Sequence, residues 1–160
     1  MPTIRRTIIL CAGATVLWGL AQTSGDADGK RLPDGPGKDL TAKLCIGCHD
    51  SGNFRKRRLT SDEWAEKIAD MVDRGAKGSE VELAAVGEYL TRNFGPDSKI
   101  RVNTAPMIEL KTVLGITAPQ AQALVDYREA RGNFKEWREL QKAAGEDGGK
   151  IEAKKDLMLF

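Results

Sequence analysis

The chain has 160 residues, 41% hydrophobic and 30% charged, with 25 Lys and Arg against 23 Asp and Glu for a formal net charge of +2. This length suits one domain of ordinary size or two small ones, and the composition excludes a disordered or collagen-like chain. The near balance of charge excludes a strongly basic nucleic-acid coat, and the single strongly apolar stretch, at the N-terminus, excludes a polytopic membrane protein.

Residues 1–21 have the pattern of an export signal: Arg5 and Arg6 form the charged region, Thr7 to Leu20 the apolar core, and Gly19 and Ala21 the small residues before a cleavage site. The apolar core is short for a mature spanning helix. Cleavage leaves no integral membrane domain; an uncleaved anchor is the other reading. In both cases the remainder is expected in the periplasm or outside the cell. Cys11 belongs to the leader, and the bulky Leu10 before it argues against lipoprotein processing. Residues 22–36, rich in Gly, Asp and Pro, read as a flexible linker.

Beyond the linker only helical periodicity is seen, so the expected class is all-α. A first helical segment is expected over Lys38–Cys48, followed by a loop over 50–59. Thr60 with Glu63 and Ser79 with Glu82 form capping boxes that open two helices, ending at Gly75 and at Gly95-Pro96. Residues 97–103 read as a short junction. Thr104 is expected to cap a helix through Val113, Gly115 to break it, Ala118–Arg131 to form the next helix, and Glu136–Ala144 another. The tail 150–160 reads as helical, then extended.

The sequence Cys-Ile-Gly-Cys-His at 45–49 is the C-x-x-C-H pattern of covalent c-type haem attachment. Two thiols three residues apart can each bond one porphyrin vinyl group, and the adjacent imidazole is then placed to ligate iron. Zinc needs about four ligands, and outside the leader the chain has only Cys45, Cys48 and His49 to offer. A dithiol redox pair would want a βαβ setting that is missing, and a structural disulfide leaves the histidine unexplained. With 1 His in the chain, a sixth ligand must be of another type. Met71 shares a helix face with Trp64 and Ile68, so it reads either as a thioether ligand or as core filler. Met107 would have to reach across the junction.

Residues 37–96, with this motif, a following Trp, a Met-bearing helix and a final Tyr-Leu helix, resemble a small monohaem class I cytochrome c. They are especially similar to the short modules found beside quinone-dependent dehydrogenases. The resemblance implies one haem c bonded to Cys45 and Cys48, His49 as proximal and Met71 as distal ligand, and a redox partner such as a quinone-dependent dehydrogenase or another cytochrome. The run Arg55-Lys56-Arg57-Arg58 reads either as a solvated loop or as an electrostatic docking patch beside the haem edge.

Residues 101–131 carry Val-Asn-Thr-Ala at 102–105, Glu109-Leu110, Leu-Gly-Ile at 114–116, and Ala121, Ala123, Tyr127 and Arg128. With Gly132-Asn133-Phe134, Glu139-Leu140 and the ending of the chain, the region resembles the tandem helix-hairpin-helix domain of bacterial competence DNA receptors. The expected domains are therefore a cytochrome unit over 37–96 and a helix-hairpin-helix unit over 97–160. The resemblance implies duplex DNA held by the amides of Gly115, Ile116, Thr117 and Ala118, with Lys111, Arg128 and Lys150 near the backbone. Relatives of this fold that serve only protein contacts leave a protein partner as the other reading. Thr117 stands where the family usually has a second glycine, Glu146-Asp147 would repel phosphate, and acidic residues nearly equal basic ones in this unit. Phe134, Trp137 and Leu140 read as its core.

These readings combine into an exported cytochrome that transfers one electron and is not an enzyme, with an adaptor that docks it on protein or DNA. The alternatives are an envelope DNA-binding protein whose haem is structural or redox-sensing, and a small haem peroxidase with an open iron site.

Overall fold

A computed structural model describes residues 32–145 and 149–160. The leader, residues 22–31 of the linker and Glu146-Asp147 lie outside the described residues. The chain is all-α: α1 (Lys38–Cys45), α2 (Gly52–Arg55), α3 (Ser61–Asp73), α4 (Glu80–Phe94), α5 (Met107–Leu114), α6 (Ala118–Arg131) and α7 (Trp137–Ala144), with a 3₁₀ helix over Glu152–Leu157. Two short strands, β1 (Ile100–Arg101) and β2 (Met158–Leu159), pair in parallel, Ile100 opposite Met158.

Local sequence chemistry accounts for most boundaries. The hydroxyls of Thr60 and Ser79 accept the amides of Glu63 and Glu82, whose carboxylates accept the cap amides in return. Gly115 closes α5 in the left-handed region at φ 66°. Gly37, before α1, has φ 91°, and a Cβ there would lie 2.8 Å from the Cβ of Tyr89.

Buried apolar residues fall into two clusters. The first gathers Phe54, Trp64, Val86, Tyr89, Leu90 and Phe94 from α2, α3 and α4. The second gathers residues after 99, among them Ile100, Leu110, Leu124, Phe134, Leu140 and Ile151. Phe134 and Leu140 are buried and Trp137 packs against them, as the spacing implies. Helix α2, which carries Phe54 of the first cluster, packs against α5.

Several boundaries differ from expectation. Helix α1 stops at Cys45, and Ile46 to Cys48 form a turn in which the Cys48 amide donates to the Cys45 carbonyl at 3.4 Å. The loop after the motif contains α2. Helix α5 starts at Met107 behind Pro106, not at a Thr104 cap, because Pro106 has an extended ψ of 159°. Asn103 instead exchanges two side-chain hydrogen bonds with the Phe134 backbone, at 2.9 and 2.8 Å. The junction supplies β1, whose partner lies at the far end of the sequence. The linker is not flexible throughout: Leu32 is 3% exposed within the first cluster, and the Tyr89 hydroxyl donates to the Pro33 carbonyl at 2.7 Å.

Candidate cofactor cleft and anion-binding hairpin

A cleft of about 280 Å³, about 970 Å³ with its open mouth, lies among α1, α2, α3 and α4. The smaller figure lies just below the roughly 300–1,000 Å³ of small-molecule and cofactor sites. Cys45, His49 and Met71 all line it, with Trp64, Ile68 and Leu90 among its apolar walls. Of the three methionines after the leader, Met71 faces this cleft; Met107 packs on the second cluster and Met158 is buried in it.

Cys45 sits at the last position of α1 and is half-buried, while Cys48 is exposed and is not among the lining residues. Burial, reinforced by the neighbouring Cys48, pushes the Cys45 thiol up to about 11. His49 lies 3.0 Å through Nδ1 from the Asp50 carbonyl. A carbonyl only accepts, so Nδ1 carries the proton, and Nε2 is the nitrogen that the neutral ring offers to a metal. Arg57, Lys67 and Lys77 also line the cleft, and among the described residues no carboxylate does. Among the described residues, no three His, Cys, Asp or Glu side chains are grouped to hold a bare metal ion.

The basic run is neither a uniformly solvated loop nor a continuous patch. Arg55 is buried and Arg58 half-buried, both paired with Glu109 of α5; Lys56 is exposed, and half-buried Arg57 donates to the Asn53 carbonyl at 3.1 Å. The sequence marks Glu109 only as part of the helix-hairpin-helix resemblance and gives no sign of its partners, which precede it by more than 50 positions.

In the hairpin between α5 and α6, the Gly115 amide donates to the Lys111 carbonyl at 3.1 Å and the Thr117 amide to Gln120 Oε1 at 2.9 Å. Only Ile116 and Ala118, of the four expected amides, make no hydrogen bond within the described residues. Thr117 and Gln120 form a third capping box, legible as T-x-x-Q and missed in the sequence reading. Gly115 and Thr117 are exposed, Ile116 is buried, and Lys111 and Lys150 are exposed. Arg128 is half-buried and donates to the Val102 carbonyl at 2.9 Å, which gives it a structural bond inside the unit.

Residues 96–154 match the helix-hairpin-helix motif family. The chain is 36% identical over 63 residues to an uncharacterized protein of Haemophilus influenzae, covering 39% of this chain and 56% of that protein. It thus spans about half the length of the curated relative it matches. No solved structure matches. A helix-hairpin-helix motif is suited to docking on nucleic acid or protein. Among the described residues no helix is long and apolar enough to cross a membrane.

Proposed function

We propose that this chain is an exported c-type cytochrome that transfers single electrons, with its helix-hairpin-helix unit serving as the adaptor. The observation that carries the reading is the convergence of Cys45, His49 and Met71 on one apolar cleft, while the other methionines outside the leader belong to the second core. Such a donor set fits a haem c. Cys45 and Cys48 would hold it by thioether bonds, and His49 and Met71 would ligate its iron. The cations Arg57, Lys67 and Lys77 would face its carboxylates. When bound, the haem supplies reversible one-electron chemistry at potentials raised by a thioether ligand. The apolar walls from Trp64, Ile68 and Leu90 limit water at the site, and the Asp50 carbonyl holds the His49 ring by its Nδ1 proton. A redox protein, such as a quinone-dependent dehydrogenase or another cytochrome, is the expected partner.

Mass spectrometry of the exported polypeptide, from cells competent to attach haem, tests the reading. A mass increased by one haem supports it, and the bare mass overturns it.

A second reading, an envelope DNA-binding protein with a structural or redox-sensing haem, is favoured by the amides of Ile116 and Ala118, which make no hydrogen bond among the described residues, and by the exposed Lys111 in the last turn of α5. Salt-dependent retardation of duplex DNA supports that reading, and absence of binding at low salt excludes it.

A further inference from the structure

Glu109 is 4% exposed on α5, yet both its carboxylate oxygens are turned to residues of the loop after the C-x-x-C-H motif. Oε2 accepts from Arg55, and Oε1 accepts from Arg58 Nη2 at 3.1 Å. The three side chains are 5%, 13% and 5% exposed for Arg55, Arg58 and Glu109. Arg55 also donates to the Ser51 hydroxyl at 3.0 Å, and both guanidinium groups lie over the Phe94 ring, at 5.7 and 5.8 Å. Phe94 meets Phe54 at 5.4 Å between centroids, and Phe54 meets His49 at 6.3 Å. Phe54 and Arg57 form part of the cleft wall. A contiguous set of contacts thus runs from the helix-hairpin-helix unit to the candidate haem ligand. Two buried cations share this one carboxylate behind that wall.

We propose that Glu109 is a positioning residue for the cleft: through Arg55 and Arg58 the second unit fixes the wall that Phe54 and Arg57 build. Without Glu109, two buried guanidinium groups lose the carboxylate they share, and segment 52–58 opens toward water to relieve them. The Glu109 carboxylate also favours the higher-charged, oxidised state of a haem in the cleft and the Arg58 guanidinium the reduced one, a consequence that rests on the cytochrome reading.

The test compares the full-length chain with Glu109→Gln, Arg58→Gln and the double variant. Amide hydrogen exchange over 52–58 is expected to quicken about tenfold or more in each single variant, and by less than the product of the two effects in the double. Unchanged exchange in Glu109→Gln, or independent effects in the double, overturns the proposal. In the haem-loaded chain the reduction potential is expected to rise in Glu109→Gln and fall in Arg58→Gln. Mere loosening would move both in one direction, and that result overturns the proposal too. Arg58→Lys keeps the charge without the forked donors, so it quickens exchange while leaving the potential in place; it serves where Glu109→Gln does not fold. Exchange can be read with or without haem. A chain that never acquires haem therefore defeats the cytochrome reading alone, and an unchanged 52–58 segment defeats the clamp alone.

Discussion

The indole N–H of Trp64 donates to the carbonyl of Phe94 at 3.3 Å, and the same oxygen accepts the Leu59 amide at 3.2 Å. One carbonyl at the end of α4 therefore anchors both α3 and the residue just before its cap, behind the cleft. Trp64 lines that cleft with the rest of its ring, so its apolar surface and its polar edge serve different neighbours.

Trp64→Phe keeps most of the apolar contact and removes the donor, while the Phe94 carbonyl keeps Leu59. The expected loss of stability is about 1 kcal/mol. Trp64→Ala also opens a cavity and is expected to cost about 3–5 kcal/mol. Urea unfolding of the two variants measures the difference; equal losses would show that the indole N–H carries the whole effect.

Under the cytochrome reading, Met71 is the ligand and Met107 is core, and substitution separates the two. In the haem-loaded chain, Met71→Ala is expected to abolish the ferric sulfur–iron charge-transfer band in the near infrared and to lower the potential. Met107→Ala is expected to keep the band and to cost roughly 2 kcal/mol of stability, because Met107 packs on the second cluster. A band that survives Met71→Ala removes Met71 as the ligand, and a high-spin wild-type spectrum supports an open iron site instead.

Under the DNA-binding reading, Arg128 and the two exposed lysines should part company in a binding assay. Lys111→Ala and Lys150→Ala are each expected to lower the salt dependence of duplex binding by about one unit of slope, with little change in stability. Arg128→Ala is expected to lower stability instead, since its guanidinium is bonded to the Val102 carbonyl. A slope that changes for Arg128 and not for the lysines would reverse these assignments.

Two capping carboxylates give the fold an acid sensitivity. The Thr60 amide, 2.8 Å from Glu63 Oε2, holds the Glu63 carboxyl below its ordinary 4.5, and the Ser79 amide does the same for Glu82. A carboxyl whose folded value is depressed adds stability above its unfolded value and loses it as pH falls through the folded one. The urea midpoint is therefore expected to drop between about pH 7 and pH 3, and to drop less in the Glu63→Gln/Glu82→Gln double variant. Equal drops in both proteins would place the acid sensitivity elsewhere. Both groups are exposed, so the effect is small and weakened by salt.

The features legible in the sequence are those whose cause lies within a few residues. The two capping boxes at Thr60 and Ser79, the glycine stops at Gly115 and Gly132, and the bounds of α6 each follow from atoms one helical turn apart. The C-x-x-C-H spacing and the Trp64, Ile68, Met71 face are local in the same way. Chain folding settled what depends on distant residues meeting. It gave Met71 and not Met107 the cleft, drew Leu32 into the first core, and paired Ile100 with Met158. It also turned half of the basic run inward onto Glu109. Short-range hydrogen bonds and rotamer preferences act whatever the rest of the chain does. Burial and ion pairing across more than 50 positions have no local signature, because their energy exists only once both partners have left water together.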